Sequence, residues 1–411
     1  MAWLPCNAPK AMGTIAPSQR YRRPLPVPTA SAYLVAVTKP LQTESMPWHD
    51  SGQRVSPGLT RPFELDRQPF VSVIVPALNE ELRILDCITA LVRQSYPQDL
   101  VEILVADGGS ADRTREIVLG ISGRDHHVHL LDNPSGKTPT ALNIGIEAAQ
   151  GSVICRMDGH AIPADDYIER CIAVLRESGA WCVGGRMEKV GSTGIGSAIA
   201  TASTSPFGVG DSAFHYATAA REVESVFLGC WPREVFERIG LFDPELVRNQ
   251  DDELSYRIRQ AGGTIWFDPS IRVRYFSRDS LRGVFSQHRQ YGRWKIRVFQ
   301  KHLGAIRWRH TVPGALVGSL GIGLLGPVFA PAGYLALAVA GTYAAATAFV
   351  VQRLRSQNPD LHRADLAGAF AAMHFGYGIG LWQGLLLAVG RGAASIFRRG
   401  SGPPQSDPAP R

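Results

Sequence analysis

Short apolar runs alternate with stretches of helical periodicity along residues 71–156 of the chain. The runs are rich in Val, Ile and Leu and are short enough for strands, whereas the intervening stretches repeat apolar residues at helical spacing. The predicted strands are 71–75, 101–106, 128–131 and 152–156, and the predicted helices are 79–93, 111–119 and 140–149. Alternating strands and helices form βαβ units, so the pattern predicts an α/β fold with a mostly parallel sheet.

The pattern is less regular between residues 167 and 301. Helices are predicted over 167–175, 233–239 and 249–260, strands over 181–187 and 265–275, and a basic amphipathic helix over 279–301. Residues 191–220 are rich in Gly, Ser, Thr and Ala. We interpret this segment as a mobile one near the site, because a plain loop and a lid, the two alternatives for such a composition, are both mobile.

Two long segments without Asp, Glu, Lys or Arg follow. Residues 312–352 have room for two membrane spans, separated near Pro327 and Pro331, because a span needs about 20 apolar residues. Residues 366–390 form the second uncharged segment. The arginines that flank the first segment place its two ends on the cytoplasmic side. A full third span would put Arg391 and the later arginines outside, so a span and an interfacial segment both remain open.

These patterns divide the chain into four parts. Residues 1–68 are rich in Pro, Ser, Thr and Arg and are predicted to form a disordered basic leader. Residues 69–305 form a folded α/β domain that ends in the amphipathic helix, which is expected at a membrane interface. Residues 312–390 supply two or three membrane segments, and residues 391–411 form a disordered tail.

Charge and cysteine content narrow the possible partners. The net charge is +7, and much of the excess lies in clusters beside the apolar segments, which suits an anionic membrane surface. Nucleic acid is not predicted as a partner, because basic and aromatic residues do not interleave and no nucleic-acid module is recognisable. The six cysteines are scattered without a CxxC pair, which argues against a zinc ribbon or a disulfide framework and fits a reducing cytosol.

Polar side chains follow three of the predicted strands. Asn79 and Glu80 follow the first, residues 107–110 follow the second, and residues 158–160 follow the fourth. The carboxyl ends of parallel strands form the ligand-binding edge of such a sheet, so these residues are expected in one site. Asp158 and His160 are two residues apart in extended chain and therefore point toward one ion or one phosphate.

Six motifs follow one another along the chain. They are Val73-Ile74-Val75-Pro76-Ala77-Leu78-Asn79-Glu80, Ala106-Asp107-Gly108-Gly109-Ser110-Ala111-Asp112-Arg113-Thr114, Lys137 with Ala141-Leu142-Asn143-Ile144-Gly145, Met157-Asp158-Gly159-His160, Gln250-Asp251-Asp252-Glu253-Leu254 and Gln290-Tyr291-Gly292-Arg293-Trp294. In this order they resemble the inverting glycosyltransferases of family 2, which have the GT-A fold of nucleotide-diphospho-sugar transferases. The resemblance covers about residues 70–300, and residues 249–253 are also similar to membrane-bound, succinoglycan-type glucosyltransferases.

The resemblance implies a UDP-sugar donor that is bound by the N-terminal motifs. Asp107 is expected at the uracil and ribose edge, where a carboxylate accepts hydrogen bonds from N–H or hydroxyl groups. Lys137 also belongs to the sequence Ser-Gly-Lys-Thr, but a phosphate loop requires a glycine at the position of Leu131, so a P-loop NTPase is set aside. The donor-binding residues are predicted to be Pro76, Asn79, Glu80, Asp107, Gly109, Lys137 and Asn143.

The loop after the fourth strand is the predicted metal site. Asp158 is expected to bind Mg²⁺ or Mn²⁺, which stabilises the negative charge of the leaving nucleoside diphosphate. His160 stands where the family usually has a second acid. It is assigned to the metal site as a ligand suited to Mn²⁺, and a hydrogen bond from its ring to a phosphate remains the alternative.

The C-terminal motifs imply the catalytic and acceptor residues. Inversion requires one general base, which the motif register assigns to Asp251, with Asp252 as the alternative because the acidic run leaves the register uncertain by one residue. The diphosphate and acceptor set is predicted to be Trp231, Gln290, Arg293 and Trp294. Arginine pairs with phosphate and an indole offers an apolar face to a sugar, although core packing is an equal alternative for Trp231.

Together these expectations describe a membrane-attached hexosyltransferase whose catalytic domain lies on the cytoplasmic side of the cell membrane. Its donor is a UDP-sugar, most simply UDP-glucose, and its acceptor is a hydroxyl of a lipid-linked saccharide in exopolysaccharide or cell-envelope glycan synthesis. A processive polysaccharide synthase, which shares the Gln-x-x-Arg-Trp motif, is one alternative. A nucleotide-sugar-binding membrane protein is the other, if His160 and Gln250 impair catalysis.

Overall fold

The computed structural model describes residues 63–210 and 212–400, with the backbone alone for residues 391–400. The predicted disordered leader therefore lies outside the described residues up to residue 62, as does the predicted tail from residue 401. The described part contains one nine-stranded sheet and twelve α-helices.

One mixed sheet forms the centre of the folded domain. The strands are β1 (Val71–Ala77), β2 (Val101–Asp107), β3 (Val128–Asp132), β4 (Val153–Arg156), β5 (Ala161–Pro163), β6 (Cys182–Val190), β7 (Arg221–Glu222), β8 (Cys230–Pro232) and β9 (Ile265–Phe276). Their order is β3-β2-β1-β4-β8-β6-β9-β5, and β7 pairs with β9. The first four are parallel, as predicted, whereas β8 is antiparallel to both β4 and β6, so the sheet as a whole is less parallel than expected.

Helices cross between the parallel strands and cover both faces of the sheet. They are α1 (Ile84–Val92), α2 (Thr114–Ser122), α3 (Thr138–Ala148), α4 (Tyr167–Ser178), α5 (Gly194–Ala202), α6 (Pro206–Val209), α7 (Glu234–Ile239), α8 (Gln250–Gln260), α9 (Leu281–Lys301), α10 (Trp308–Ile322), α11 (Ala330–Gln357) and α12 (Arg363–Gly400). The helix predicted from residue 79 starts five residues later, because Asn79 has a left-handed backbone (φ 57°) that a right-handed helix does not accommodate.

The interpretation of residues 191–220 as a mobile loop is wrong for much of the segment. α5 and α6 occupy part of it, and Ala198, Ile199 and Ala202 are buried in one apolar cluster with Val284 of α9 and Phe370 of α12. The small residues that suggested a loop instead allow three helices to pack closely.

The two segments long enough to cross a membrane differ from those predicted. α10 has 15 residues, fewer than the about 20 that a span requires. Within the described residues, two helical segments are long and apolar enough by length and composition, namely Ala330–Gln357 and Arg363–Gly390. The uncharged segment 312–352 thus supplies one candidate span, and residues 366–390 belong to the other. The α12 backbone also continues to Gly400, so it is helical where the tail was predicted to begin.

Glycines allow α12 to lie directly against α9. A Cβ placed on Gly376 would lie 2.7 Å from the carbonyl oxygen of Phe285, and one on Gly292 would lie 2.8 Å from the backbone nitrogen of Leu381. Gly380 and Gly384, one and two turns further along α12, face the α9 backbone in the same way. The apolar helix α12 therefore has direct backbone contact with the helix that carries the Gln-x-x-Arg-Trp motif.

This close packing predicts a position-dependent effect of glycine substitution. Gly376→Ala places a methyl group against the backbone of α9, so we expect a loss of about 1–3 kcal/mol of stability. Gly341→Ala is the matched control, because it also replaces a helical glycine but has open space around its Cβ position. Thermal unfolding of the full chain in detergent measures both, and equal unfolding temperatures for the two variants would contradict the packing.

Candidate active site

Hydrogen bonds join the loops after β1 and β2 into one surface. The Asn79 backbone N–H donates to Ser110 Oγ (2.9 Å), and the Ala111 N–H donates to Asn79 Oδ1 (2.9 Å). The Glu80 N–H donates to Thr114 Oγ1 (2.7 Å). Asn79 thus organises the two loops, and its predicted nucleotide contact stays a prediction.

The Asp107 carboxylate shapes the loop that follows β2. It accepts hydrogen bonds from the Gly109 N–H (3.2 Å) and the Ser110 hydroxyl (2.6 Å), and its side chain is 1% exposed. Arg115 Nη1 lies 3.6 Å from the same carboxylate. Gly109 has φ 80°, a left-handed conformation that glycine adopts without a Cβ penalty. The loop itself therefore uses Asp107 in this structure, and its role toward a nucleotide is a prediction.

The loop before α3 lies beside this surface. The Asn133 backbone N–H donates to the Asp107 carbonyl oxygen (2.9 Å), and a Cβ on Gly108 would lie 3.2 Å from Gly136 Cα. Lys137 follows at the start of α3 with an exposed side chain. Pro76 is half-buried in β1 and pairs in register with Ala106 of β2. Lys137 and Pro76 thus lie on elements that border the expected donor site.

Asn143 binds a distant loop of the protein, which gives it a structural role in place of the predicted nucleotide contact in this structure, and that contact stays a prediction. Its Nδ2 donates to the carbonyl oxygen of Phe242 (2.8 Å), and its Oδ1 accepts from the Phe242 N–H (3.0 Å). Both polar atoms of the amide are used in this backbone contact. Asn143 therefore fixes α3 to the turn before α8.

Arg156 brings the predicted metal ligand and the predicted base together. Its Nε and Nη2 both lie 2.9 Å from Asp158 Oδ1, and its Nη1 forms an ion pair with Asp251 Oδ1. The Arg156 side chain is 8% exposed. Burial opposes its charge, but the two carboxylates outweigh that effect and hold the pKa of Arg156 above its usual value. The described residues place no hydrogen-bond donor on Asp158 Oδ2, which remains open to a ligand.

The two ring nitrogens of His160 are engaged by neighbouring side chains. Nδ1 lies 2.8 Å from Glu80 Oε1, and Nε2 lies 2.9 Å from the hydroxyl of Tyr275. Burial lowers the pKa of His160, but the hydrogen bond to Glu80 and the charges of Asp158 and Glu80 outweigh it, so the net shift is upward. A histidine held in this way offers no free lone pair. The prediction of His160 as a metal ligand is therefore wrong for this arrangement.

Glycine between Asp158 and His160 lets the loop approach Glu80. A Cβ at Gly159 would lie 3.3 Å from Glu80 Cγ and 3.3 Å from the Ile84 side chain. The carboxylate of Glu80 thus reaches His160 rather than projecting toward the expected ribose position. Its predicted nucleotide contact would require the backbone or the second carboxylate oxygen.

The electrostatic surroundings separate the two candidate bases at the start of α8. Burial by the surrounding protein raises the pKa of Asp251, although 39% of its side chain is accessible to solvent. Arg156 opposes this rise, whereas the negative charges of Asp158 and Asp252 add to it. Burial also disfavours the charge of Asp252, but the Lys295 ammonium, 2.5 Å away, reverses this effect and lowers the pKa. A base works best when its pKa approaches the operating pH, so these electrostatic surroundings suit Asp251 better than Asp252, and the role of either as base stays a prediction.

The Gln-x-x-Arg-Trp motif lies on α9 beside the start of α8. Arg248 Nε donates to Gln290 Oε1 (3.3 Å), and Asn249 Nδ2 donates to the carbonyl oxygen of Tyr291 (3.0 Å). Arg293 is exposed and Trp294 is half-buried. The motif helix is therefore fixed to the segment that leads into Asp251, and the roles of Arg293 and Trp294 remain predictions.

Trp231 belongs to the hydrophobic core, so its assignment to the acceptor site is wrong. Its side chain is 4% exposed, and its ring packs edge-on to Phe236 (5.5 Å between centroids) and Phe242 (6.1 Å). The core-packing alternative describes this residue, because β8 lies in the interior of the sheet between β4 and β6.

Sequence reasoning missed three residues of this site. Arg156 stands two positions before Asp158, and residues two apart in extended chain share a face, so the same argument that paired Asp158 with His160 also identifies Arg156. Tyr275 and Arg248 carry no such signal, because each reaches its partner from an element far along the chain.

Known proteins resemble this chain in both sequence and fold. Residues 72–207 match the family model described as Glycosyl transferase family 2. The chain is 31% identical over 318 residues to the succinoglycan biosynthesis protein ExoA of Rhizobium meliloti (strain 1021). The matched region covers 76% of this chain and 94% of that protein. It is 28% identical over 247 residues to a dolichyl N-acetyl-alpha-D-glucosaminyl phosphate 3-beta-D-2,3-diacetamido-2,3-dideoxy-beta-D-glucuronosyltransferase of Methanococcus voltae, covering 58% of this chain and 77% of that protein.

One solved structure supports the fold. The mannosyltransferase PcManGT from Pyrobaculum calidifontis, in complex with GDP-Man and Mn²⁺, superimposes with a TM-score of 0.52. It is 19% identical and covers 84% of this chain and 93% of its own. The predicted GT-A fold is confirmed.

The position of Asn143 generates a prediction that separates stability from nucleotide binding. Asn143→Ala leaves the buried backbone groups of Phe242 without partners, so we expect a loss of about 1–3 kcal/mol of unfolding free energy. The affinity for UDP, measured by calorimetry on the full chain, should be unchanged. A variant that unfolds like the wild type but binds UDP weakly would restore Asn143 to the donor site.

Proposed function

This chain belongs to glycosyltransferase family 2 and is a glycosyltransferase, and we propose that it transfers a hexose from a UDP-sugar to a hydroxyl of a lipid-linked saccharide with inversion. Glucose is the simplest donor sugar. The observation that carries the proposal is the buried Arg156, which places Asp158 and Asp251 on one guanidinium. The proposed ligand of the cation, Asp158, and the proposed general base for the acceptor, Asp251, are thereby held next to each other in the site.

The donor is proposed to bind where the loops after β1, β2 and β4 meet. Phosphate oxygens would lie near Asp158 at the carboxyl end of β4, and the nucleoside would extend toward Asp107 and the loop with Lys137. This arrangement follows the rule that ligands of open α/β sheets bind at the carboxyl ends of the strands.

The free oxygen of Asp158 suits a divalent cation. Asp158 Oδ2 is a hard oxygen without a donor among the described residues, and Mg²⁺ is commonly held by one or two carboxylates together with phosphate oxygens and water. Mg²⁺ or Mn²⁺, when bound, would neutralise the charge that develops on the leaving diphosphate. We propose Asp158 as the protein ligand, with His160 orienting the loop through Glu80 and Tyr275.

The transfer is proposed to be a single displacement. The acceptor hydroxyl oxygen forms a bond to the anomeric carbon while the bond from that carbon to the diphosphate breaks, and the electron pair leaves with UDP. Asp251 takes the hydroxyl proton as general base. Arg156 holds the Asp251 carboxylate in place through the ion pair to Oδ1, which leaves the second oxygen of Asp251 for the acceptor.

A lipid-linked acceptor is supported by the exposed apolar surface of α11. Tyr334, Leu335, Leu337 and Phe349 are all exposed, and such a surface on a helix of spanning length suits lipid. The names of the relatives fit this acceptor, since one acts in succinoglycan biosynthesis and another on a dolichyl-linked sugar. We propose that the protein acts in polysaccharide or cell-envelope glycan synthesis, at the cytoplasmic face of the membrane.

The choice of base predicts unequal effects of two neighbouring substitutions. Asp251→Asn should lower kcat at least about 100-fold with little change in UDP affinity, because general-base catalysis contributes about 10²–10⁴-fold. Asp252→Asn removes the ion pair to the buried Lys295, which should lower stability, but we expect kcat of the folded protein to fall no more than about tenfold, because the proposed base is kept. Steady-state transfer rates and UDP calorimetry on the purified chain measure both. The reverse order of the two losses would assign the base to Asp252.

A donor panel tests the function itself. Native membranes that contain the protein are given radiolabelled UDP- and GDP-sugars, and label is expected in the lipid fraction with a UDP-hexose. Chelation of divalent cations should abolish the label, and Mg²⁺ or Mn²⁺ should restore it. Membranes with the Asp251→Asn variant are the control. No lipid label with any donor would contradict the proposed acceptor, and a long labelled polymer would indicate a processive synthase.

A further inference from the structure

A recess of about 480 Å³ opens beside the site, between α9 and the segments that precede α8 and α9. Its lining is mostly polar and includes Arg248, Arg278, Asp279, Ser280, Ser286 and Gln290. Gln290 belongs to the Gln-x-x-Arg-Trp motif, but the two arginines belong to none of the motifs that identified the family. The recess is large enough for a polar group of a substrate.

The two arginines give the recess an unbalanced positive charge. Among the described residues, neither Arg248 nor Arg278 has a carboxylate within ion-pair distance, and the side-chain hydrogen bond of Arg248 goes from Nε to the neutral Gln290 (3.3 Å). The one acid in the lining, Asp279, is occupied by Ser192, whose hydroxyl donates to Oδ2 (2.5 Å) and whose N–H donates to Oδ1 (3.2 Å). Two guanidinium groups without acids are suited to a phosphate.

The recess is electrostatically connected to the catalytic carboxylates through Tyr291. The hydroxyl of this half-buried tyrosine lies within electrostatic range of both recess arginines, Arg248 and Arg278, and of both Asp158 and Asp251. The chain also links them directly, because Arg248 of the recess stands three residues before Asp251, and Asn249 between them donates to the carbonyl oxygen of Tyr291. A substrate that occupies both would bring its phosphate to the arginines and its hydroxyl to Asp251.

The same stretch of α9 also contacts the apolar helix α12. Leu281 and Phe285 pack against Gly368 and Gly376 of α12, where the built Cβ contacts are 2.9 Å and 2.7 Å. Gly283, Ser286 and Gln287, which line the recess, lie within one turn of these contacts. These lining residues lie on the face of α9 opposite to the one that contacts α12, so the recess is carried by a helix whose other face is packed on an apolar helix of spanning length.

We propose that this recess holds the phosphate group of the lipid-linked acceptor, with Arg248 and Arg278 as its binding residues. The inference rests on the proposed function and names a subsite for its acceptor. Phosphate could also come from the donor diphosphate. The lipid source is favoured because the donor loops lie at the ends of β1, β2 and β4, whereas the recess lies against α9, the helix whose opposite face packs on the apolar helix α12.

The test measures binding of a polyprenyl diphosphate to the full chain in phosphatidylcholine nanodiscs, by thermophoresis, with UDP titrated in parallel. The double variant Arg248→Gln/Arg278→Gln should bind the polyprenyl diphosphate at least about tenfold more weakly, or about 1.4 kcal/mol. UDP affinity should be unchanged. Replacement of both residues by Lys should restore part of the lipid affinity, since the charge is kept. Uncharged polyprenol should bind all variants alike.

Arg282→Gln is the matched control, because Arg282 is an exposed arginine on the same helix that does not line the recess. Unchanged binding of the polyprenyl diphosphate by the double variant would overturn the inference, and so would a selective loss of UDP affinity, which would assign the recess to the donor. The single variant Arg278→Gln alters an exposed side chain and keeps the test valid if the double variant is unstable. Failure of the proposed function would appear separately, as absence of lipid label with every donor while polyprenyl diphosphate still binds.

Discussion

The proposed active site depends on one buried guanidinium. Arg156 is surrounded by protein and is held by two carboxylates, Asp158 on the same loop and Asp251 on α8, 95 residues later in the chain. A buried charge that loses one partner commonly costs about 3–5 kcal/mol, so the three side chains stabilise one another only as a group. Because Arg156 ends β4 and Asp251 opens α8, this group also joins the parallel half of the sheet to the part of the domain that carries the acceptor motifs.

The charge balance of this group has a chemical consequence. Two carboxylates and one guanidinium leave one negative charge in a site where burial already raises the pKa of Asp251. An excess negative charge attracts a divalent cation to Asp158, while the guanidinium keeps Asp251 from moving toward that cation. In the proposed mechanism, the arginine between the two carboxylates thus keeps the cation ligand, Asp158, apart from the general base, Asp251.

The motif helix α9 contacts both the apolar helix α12 and the segment that contains the two candidate bases. Gln290 contacts Arg248 ahead of the base, Gly292 lies against the α12 backbone, and Lys295 holds Asp252. These contacts fall within two turns of one helix. A Cβ at Gly292 would collide with the α12 backbone, so the glycine within the motif is explained by helix packing and not by substrate.

The parts of the structure that could be predicted are those specified by local pattern. The first four strands and the polar loops after them could be predicted because the apolar runs and the polar residues that end them are local features of the sequence. The roles of Asn143 and Trp231 could not be predicted, since each is decided by a partner on another element. The segment 191–220 was misread because small residues favour loops when exposed and close helix packing when buried.

His160 shows how a change of residue type in a family motif alters the proposed metal site. A second acid would supply another oxygen ligand, whereas here both ring nitrogens are engaged by Glu80 and Tyr275. Of the two residues of the motif, Asp158 alone then has a free oxygen for a cation in the proposed site, and we expect the donor diphosphate and water to supply the remaining ligands. Affinity for the cation alone should therefore be low and should rise when the nucleotide is present. In the proposed reaction the cation and the donor bind as one unit, and Asp158 positions both.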